Sequence, residues 1–356
     1  MNLIKKKKIA IIGSHGLYAS YGGWDQLVNN LAENKSDNIE YIIYNSSCTK
    51  FVKDPPEGVS VQRLIFKADG WQGFLFDFYS IILSYFNTDA LLLLGAQGMP
   101  IIPFLGLFKN QKVIINIGGV EWERPKYNKL IKKYFKYCFK LCLNKSRTIL
   151  IDNEHYKTFI PSKSNCTSLV IPYGGTIDDS LEINSYLIKK YPFLTKDYFL
   201  SISRSLEDNK LDELCHIFKD SDKELVLISN FSKSEYGKNV LNKYSNINNI
   251  HLIDGLYYKP ELDLVRRKCL AYIHTHTLCG TAPSLVEMIV SGRPILSIDI
   301  PQNRYTLKDK GYFFKNFEDL RSHLKLNNSM ECYIPNKDLI TSYSWINIVK
   351  KYESIY

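Results

Sequence analysis

The chain has 356 residues, of which 45% are hydrophobic and 23% are charged, and its formal net charge is +10. This length predicts two domains with separate cores, and nothing in the composition indicates disorder. Eight cysteines without a CxxC pair and seven histidines without HExxH spacing predict reduced thiols and no structural metal. The positive charge is compatible with nucleic acid, an anionic membrane or an anionic substrate, so the positions of the lysines must decide.

Two apolar stretches have features of targeting or membrane segments. The lysines at 5–8 precede an apolar run that ends at Gly13, which is too short for a signal peptide. The most apolar window, 90–108, contains Pro100 and Pro103, which disfavour a straight membrane span. We expect a buried strand, a turn and a short apolar helix that could face lipid, in a protein that is not integral to the membrane.

Strands alternate with helices in two consecutive series. In the first series, short apolar runs predict strands at 8–12, 41–44, 90–94, 112–117, 148–151 and 168–171, with helices at 24–34 and 127–144. In the second series, strands are predicted at 198–203, 224–229, 250–253, 270–274 and 294–298, and helices at 211–218, 238–244, 260–268 and 283–291.

This alternation is typical of parallel sheets covered by helices on both faces. The sequence therefore predicts the α/β class, with two Rossmann-like doubly wound domains. A Pro/Gly turn at 172–175 marks the join between them. We expect an N-terminal domain at 1–173, a second domain at 174–340, and a C-terminal helix within 341–356 that could pack back on the first domain.

The first candidate motif is a glycine-rich turn between the first strand and the first helix. It comprises Gly13-Ser14-His15-Gly16, followed by Tyr21-Gly22-Gly23-Trp24-Asp25. Glycines let a ligand approach the backbone, and the helix N-terminus attracts anions, although a tight turn without a ligand would need them too. NAD is not predicted, because the GxGxxG spacing is absent and the second strand ends at Asn45 rather than at an acid.

The second motif follows the strand at 112–117 and contains Glu121, Trp122 and Arg124. Glu121 could accept a proton or bind a sugar hydroxyl, and Trp122 could stack on a sugar face. The alternative is a structural loop in which Glu121 pairs with Arg124.

The third motif, residues 274–287, runs from a strand end through a loop of small residues into a helix that begins at Pro283. Amides near Thr281–Ser284 are placed to hold a diphosphate, and Glu287 could reach ribose hydroxyls. The alternative for Glu287 is an exposed acid that favours the helix dipole. Alternation along the strand predicts that His274 and His276 face opposite ways.

The fourth motif places Arg204 at the end of a strand, with Asn209 and Lys210 shortly after it. A cation there would stabilise the charge that develops on a diphosphate leaving group. Arg204 is the first candidate and Lys210 the second.

These motifs resemble, in order, those of bacterial rhamnosyltransferase-like enzymes in the family 4 glycosyltransferases. The first is similar to Gly-Thr-Arg-Gly followed by Tyr-Gly-Gly-Phe-Glu. The second is similar to Glu-Trp-x-Arg-x-Lys-Trp, and the segment at 280–287 to Gly-Thr-Asn-Pro-Ser-Leu-Leu-Glu. Residues 301–304 resemble a later Asn-Arg element.

The resemblance implies a GT-B fold with two domains facing across a cleft, a nucleotide diphosphate sugar on the C-terminal domain, an acceptor on the N-terminal domain, and no essential metal or cofactor. The implied catalytic residues are Glu121, Arg204 and Glu287. The implied donor-binding residues are Gly22, Gly23, Arg204, Asn209, Lys210, Gly280, Thr281, Pro283, Ser284 and Glu287. The implied acceptor-binding or sugar-binding residues are Trp24, Asp25, Glu121, Trp122 and Arg124.

Three residues depart from the pattern of those relatives. Cys279 stands where family 4 enzymes carry the first acid of a Glu-x7-Glu element. Gly118 replaces an Asp, which removes one candidate acid near Glu121, and Asn209 replaces a phosphate-binding Lys.

Lysines recur at helical spacing from 126 to 140 and form one stripe, with residues 130, 131, 134, 135, 138, 141 and 142 on the opposite side. An ordinary surface helix has this pattern, and so does a basic face on anionic lipid. We expect a lipid-linked acceptor, contact of the 126–142 helix with an anionic membrane, and a cytoplasmic location at the inner face of that membrane.

The predicted reaction is transfer of L-rhamnose from dTDP-rhamnose to a growing surface polysaccharide, such as O-antigen of lipopolysaccharide or capsule. A UDP-dependent galactosyl or glucosyl transferase is the alternative. A catalytically silent partner in glycan assembly is a further alternative, which Cys279 and Gly118 keep open. Nucleic-acid binding is not predicted, since no base-reading motif is present.

Overall fold

The computed structural model describes residues 6–19, 22–50, 52–109, 112–123, 127–143, 147–164, 166–326 and 330–356. The chain divides into two compact units. Unit 1 comprises Met1–Tyr173 and Trp345–Tyr356, and unit 2 comprises Gly174–Ser344. The C-terminal segment of unit 1 thus begins at Trp345 rather than at 341.

The strands of unit 1 are β1 Lys7–Ile12, β2 Ile39–Asn45, β3 Val59–Arg63, β4 Ala90–Leu94, β5 Lys112–Asn116, β6 Arg147–Ile151 and β7 Thr167–Val170. Those of unit 2 are β8 Tyr198–Ile202, β9 Glu224–Ser229, β10 Ile250–Asp254, β11 Ala271–His274, β12 Ile295–Ile298 and β13 Tyr312–Phe314.

The helices of unit 1 are α1 Gly23–Glu33, α2 Gln72–Tyr85, α3 Ile102–Leu105, α4 Lys129–Cys142 and, at the chain end, α13 Trp345–Glu353. Unit 2 contains α5 Ser185–Lys190, α6 Leu211–Phe218, α7 Glu235–Tyr244, α8 Lys259–Lys268, α9 Pro283–Ser291, α10 Pro301–Leu307, α11 Phe317–Lys325 and α12 Lys337–Ser342.

Unit 1 is built on a parallel sheet in the order β3-β2-β1-β4-β5-β6-β7. One apolar core includes residues of α1 and α13, and a second includes residues of α2, α3 and α4. The C-terminal segment is anchored by polar contacts as well, since Asn116 Nδ2 donates to Tyr352 Oη at 2.7 Å and Lys7 Nζ donates to the Tyr356 carbonyl at 2.9 Å.

Unit 2 repeats this arrangement in a parallel sheet ordered β10-β9-β8-β11-β12-β13. In both sheets the first and fourth strands are neighbours, and the strand order reverses between them. Open α/β sheets bind ligands beyond the carboxyl ends of the strands at this switch point. The loops after β8 and β11 are therefore the expected ligand site of unit 2, and those after β1 and β4 that of unit 1.

Two strands, β3 and β13, were not predicted, and neither were five helices, which are α2, α5, α10, α11 and α12. β3 is mostly exposed and β13 is only three residues long, so neither has a continuous apolar run. α2 was missed because it has no distinct polar face: it buries Asp77, Ser80 and Ser84 beside Phe76, Ile81 and Tyr85, while other apolar side chains of the same helix are exposed.

Candidate functional site

The predicted cation, Arg204, lies in a loop beside the switch point of unit 2. Arg204 lies two residues beyond β8, and its side chain is exposed. Asn209 is only 4% exposed, and its Nδ2 donates to the Arg204 carbonyl at 2.7 Å. Asn209 thus fixes the loop that presents Arg204, whereas the sequence suggested direct contact with the donor.

Lys210 has a different environment from Arg204. It adopts a left-handed backbone conformation with φ 55° at the start of α6, and its Nζ lies 3.0 Å from Glu213 Oε1. Since Lys210 is already paired with a carboxylate, Arg204 is the better candidate for a phosphate contact.

The loop after β11 ends at the N-terminus of α9. Gly280 and Thr281 are buried, whereas Pro283 and Ser284 are partly exposed. Ala282 precedes the helix in an extended conformation and makes no side-chain capping hydrogen bond. A helix N-terminus without such a cap has the polarity and the geometry to bind an anion.

Glu287 lies in the second turn of α9 and is held by a buried ionic network. Its Oε2 accepts a hydrogen bond from Arg266 Nη2, and Arg266 Nη1 donates to Asp263 Oδ1 at 2.6 Å. Asp263 is fully buried, and the side chain of Glu287 is 17% exposed. Glu287 is therefore a positioned carboxylate at the surface and not a freely solvated helix acid.

Two histidines connect this region with Arg204. His276 lies beyond the end of β11, so its ring does not face away from that of His274 as predicted; the two ring centroids are 4.3 Å apart. Burial and the nearby charge of Arg204 lower the pKa of His276 to about 4, and burial holds the pKa of His274 well below its ordinary value. Tyr272 Oη lies 3.4 Å from His274 Nδ1, and the phenol adjoins Ser284 at the start of α9. This series of contacts places Arg204 and the start of α9 at one edge of the sheet.

The same histidines form the one cluster of three potential metal ligands in the described ranges. A ring nitrogen of His274, one of His276 and the Cys279 Sγ lie within 4.8 Å of one another. Neutral imidazoles and a thiol suit a soft divalent metal. The absence of an essential metal therefore stays a prediction.

In unit 1 the glycine-rich turn is closely packed against the neighbouring strands. Gly13 has φ +101°, and a Cβ on it would lie 2.2 Å from the Leu94 carbonyl oxygen. Asn45 Oδ1 accepts the Leu17 amide at 2.8 Å, so the residue at the end of β2 fixes the loop. Gly22 precedes α1 with open space around it, and Gly23 lies against the ring of Tyr173.

His15 is the site residue that the predicted set omitted. Its Nδ1 lies 3.3 Å from Asp25 Oδ1, and its Nε2 lies 3.1 Å from Asp69 Oδ1. The hydrogen bond to Asp25 is the main cause that raises the pKa of His15 to about 9, so His15 is a cation at neutral pH. Asp25 is 1% exposed and also accepts the His15 amide at 3.0 Å, so it holds this loop; its contact with an acceptor stays a prediction.

Trp24 is partly buried between the ends of two strands. A Cβ on Gly95 would lie 3.0 Å from Trp24 Cη2, and a Cβ on Gly118 would lie 2.9 Å from Trp24 Cζ2. Gly118 also has φ +61°. The indole therefore occupies the space that a side chain at 118 would need.

Of the second motif, Glu121 and Trp122 are both partly buried. The Trp122 ring lies 4.8 Å from that of Phe139 and joins the core of unit 1, so packing accounts for it better than sugar stacking does. Arg124 lies outside the described residues, as does Lys126.

The lysine stripe lies on α4, which begins at Lys129 because Asn128 Oδ1 caps the Ile131 amide at 3.0 Å. Lys129, Lys133, Lys136 and Lys140 are exposed. The core face consists of Phe135, Cys138, Phe139 and Cys142, whereas Leu130, which was predicted on that face, is 77% exposed. No helix in the described ranges is long and apolar enough to cross a membrane.

Comparison with known proteins supports the fold. No curated protein sequence matches the chain significantly. A family model described as a domain of unknown function (DUF1972) matches residues 97–176, which is less than half of the chain.

Solved structures align along almost the whole length. Sucrose-phosphate synthase from Thermosynechococcus elongatus has 11% identity and a TM-score of 0.78, with 99% of this chain and 98% of that chain covered. HepE from Anabaena, in complex with UDP-glucose, has 11% identity and a TM-score of 0.70, with 98% of this chain and 100% of that chain covered. An E. coli trehalose-6-phosphate protein bound with UDP-2-fluoro glucose has 9% identity and a TM-score of 0.69, covering 98% of both chains.

Such low identities define the fold alone. The chain has the two Rossmann-like α/β domains of the GT-B glycosyltransferases, and the predicted fold class is confirmed. None of these comparisons singles out the rhamnosyltransferase-like branch.

Proposed function

We propose that this protein is a glycosyltransferase that uses a nucleotide diphosphate sugar. The observation that carries the proposal is the arrangement at the switch point of unit 2. The exposed Arg204 follows β8. The neighbouring strand β11 leads into the N-terminus of α9, which has no side-chain cap, and α9 carries the anchored carboxylate of Glu287. A pyrophosphate needs a cation and amide donors, and a ribose needs a fixed acceptor.

The chemistry follows from these groups. As the bond between the sugar and the diphosphate breaks, negative charge accumulates on the leaving group. Arg204 and the amides near Thr281–Ser284 stabilise that charge more in the transition state than in the ground state. Glu287 accepts hydrogen bonds from ribose hydroxyls, and its pairing with Arg266 keeps it oriented. The proposed reaction requires no metal ion.

For the donor, we propose dTDP-L-rhamnose, on the resemblance of the glycine-rich turn to the rhamnosyltransferase-like enzymes. UDP-glucose or UDP-galactose is the alternative, and the UDP-sugar complexes among the similar structures favour it. The proposed acceptor is a growing, lipid-linked surface polysaccharide.

The proposed location is the cytoplasmic face of the membrane, without integration into it. The exposed lysines of α4 would contact anionic headgroups, each adding about 1 kcal/mol near the surface. Flotation with phosphatidylcholine vesicles, with and without 30% phosphatidylglycerol, tests this contact; equal recovery on both would argue against it.

A thermal-shift screen with UDP, dTDP, GDP and ADP tests donor binding, because a ligand stabilises the state that it binds. Release of nucleotide diphosphate from dTDP-rhamnose or UDP-glucose, with an acceptor extract, tests catalysis. We expect Arg204→Ala to lower kcat by about 10²- to 10³-fold, as loss of one transition-state donor does. Glu287→Gln should weaken nucleotide binding by about 10- to 100-fold, since a hydrogen bond to a charged group is lost.

The control variant is Arg321→Ala, which removes a partly exposed arginine of the same unit, on α11. It should leave both readouts unchanged. If no nucleotide shifts the melting temperature, or if Arg204→Ala and Arg321→Ala behave alike, the site is not a donor site. Nucleotide binding without any transfer would favour a catalytically silent partner in glycan assembly.

A further inference from the structure

Exposed apolar side chains are concentrated at one place in unit 1. Phe104, Leu107 and Phe108, in α3 and the turn after it, are 62%, 78% and 70% exposed. The turn is well ordered by backbone hydrogen bonds, from the Gly106 amide to the Ile102 carbonyl at 2.9 Å and from the Phe108 amide to the Leu105 carbonyl at 3.0 Å. Single exposed apolar residues are common, but a contiguous group usually marks an interaction site.

α2 extends this group because apolar side chains lie on its exposed face as well as on its buried face. Tyr79, Ile82, Leu83 and Phe86, at its C-terminal end, follow the i, i+3, i+4, i+7 spacing of one helix face and are 36–47% exposed. Two of its serines are buried beside Phe76, Ile81 and Tyr85: Ser80 Oγ donates to the Phe76 carbonyl, and Ser84 Oγ bonds to Tyr44 Oη, both at 2.7 Å. A surface helix whose outer face contacts only water would carry polar residues on that face.

These two groups form one surface. Tyr85 Oη donates to the Lys109 carbonyl at 2.9 Å, and Lys109 Nζ donates to the Phe86 carbonyl at 3.1 Å, which ties the end of α2 to the turn that follows Phe108. We define the α2–α3 apolar surface by its members, which are Tyr79, Ile82, Leu83, Phe86, Phe104, Leu107 and Phe108.

Positive charge lies beside this surface. The Phe74 and Tyr134 ring centroids are 5.2 Å apart, so the first half of α2 adjoins the first half of α4, which carries the exposed lysines. A shallow apolar groove of about 390 Å³ lies between the two helices, lined by Phe74, Phe78, Leu130, Ile131 and Tyr134. α4 contains no acidic residue, and Asp77 of α2 is buried.

An apolar surface flanked by cations matches the depth profile of an anionic bilayer. A second copy of this chain, which has the same net charge of +10, would not supply the negative charge that anionic headgroups offer to these lysines. We infer that the α2–α3 apolar surface inserts into the acyl region of an anionic phospholipid membrane, while the lysines of α4 contact its headgroups. The inference extends the lysine contact proposed above and does not depend on the identity of the sugar.

The test uses the full chain and vesicles of phosphatidylcholine with 30% phosphatidylglycerol, at 0.1 M and 0.5 M NaCl. Salt screens the lysine contacts but strengthens apolar burial, so wild-type protein should remain partly bound at 0.5 M. The variant Phe104→Ser/Leu107→Ser/Phe108→Ser should lose about tenfold or more of its binding at both salt concentrations, because its inserted apolar area is removed. The variant Lys133→Gln/Lys136→Gln/Lys140→Gln should lose binding mainly at 0.1 M.

A matched control removes exposed apolar side chains from unit 2. Tyr257, Tyr258 and Leu326 are 78%, 64% and 67% exposed, and their replacement by serine should not change vesicle binding. Thermal shift by UDP or dTDP should be unchanged in all three variants, which separates loss of insertion from failure of the donor site. Equal flotation of the Phe104/Leu107/Phe108 variant and wild type would overturn the inference. So would a wild-type dimer in solution that this variant converts to a monomer, since the occupant would then be a second copy.

Discussion

Gly118 provides the sharpest test of the local packing. The rhamnosyltransferase-like enzymes that the motifs resemble carry an Asp at this position, so Gly118→Asp would make the chain match their motif. In this protein a Cβ at 118 would lie 2.9 Å from Trp24 Cζ2, and the backbone has φ +61°. A left-handed conformation costs a residue other than glycine about 1–2 kcal/mol, and displacing a packed side chain costs about 1–3 kcal/mol.

We therefore expect Gly118→Asp to lower the free energy of unfolding by about 2–5 kcal/mol, the sum of these two costs. Urea denaturation followed by circular dichroism measures this loss. Gly118→Ala should show most of this stability loss, because it places the same Cβ against Trp24 at the same backbone angle as Gly118→Asp does. Gly119→Ala is the matched control: the φ of Gly119 is not in the left-handed region, and its Cβ would lie at an ordinary 3.4 Å from Tyr156 Oη.

The contribution of Trp24 can be isolated with Trp24→Phe, which removes Cζ2 and Nε1. In that background Gly118→Asp should cost about 1 kcal/mol less, so a double-mutant cycle should show coupling between the two positions. Strictly additive effects, or wild-type stability of both Gly118 variants, would refute the reasoning.

Three further predictions concern ionic and polar contacts. Because its pKa of about 9 lies above the ordinary 6.5, His15 stabilises the fold fully below pH 6.5, and this stabilisation is lost as the pH rises through 9. Urea titrations at pH 6.5 and 9.5 should show that the wild-type free energy of unfolding falls by about 1–2 kcal/mol between the two, a figure that allows for the partial exposure of His15. His15→Gln should not show this fall. Arg266→Met should cost about 3 kcal/mol in urea denaturation, because Glu287 loses its ion pair and the buried Asp263 keeps only that with Lys259; Arg266→Met/Glu287→Met should cost less. Asn209→Ala should cost about 1–2 kcal/mol and lower nucleotide affinity in the thermal-shift assay, because the loop after β8 loses its 2.7 Å anchor.

The strands were predictable from sequence for a physical reason. In a parallel sheet covered on both faces, each central strand is buried on both sides and appears as a continuous apolar run, as in the ALLLL of β4. The failures occur where burial is one-sided or absent. β3 is exposed at a sheet edge, and α2 has outward apolar residues that hide its helical period.

The candidate loops of unit 2 could be predicted by the same reasoning, because loops that follow parallel strands at the switch point are where such sheets bind ligands; their role in donor binding stays a prediction. What the sequence could not give was the direction of the side chains. Glu287 meets Arg266, which lies 21 positions earlier on another helix. Asn209 turns inwards to the Arg204 carbonyl. Both contacts depend on how α8, α9 and the loop after β8 pack, and no local pattern records that packing.

Two departures from the resembling enzymes become intelligible through their neighbours. Those enzymes carry Arg where this chain has His15, and a neutral histidine would remove a cation from the glycine-rich turn. The carboxylates of Asp25 and Asp69 keep His15 protonated at neutral pH, so the charge is retained by different chemistry. At position 118 the resembling enzymes carry Asp, whereas this chain has glycine. The space is filled by Trp24, which is larger than the Phe of those enzymes. Each substitution is thus matched by a contact that preserves charge at one position and packing at the other, and neither departure by itself indicates that the site has degenerated.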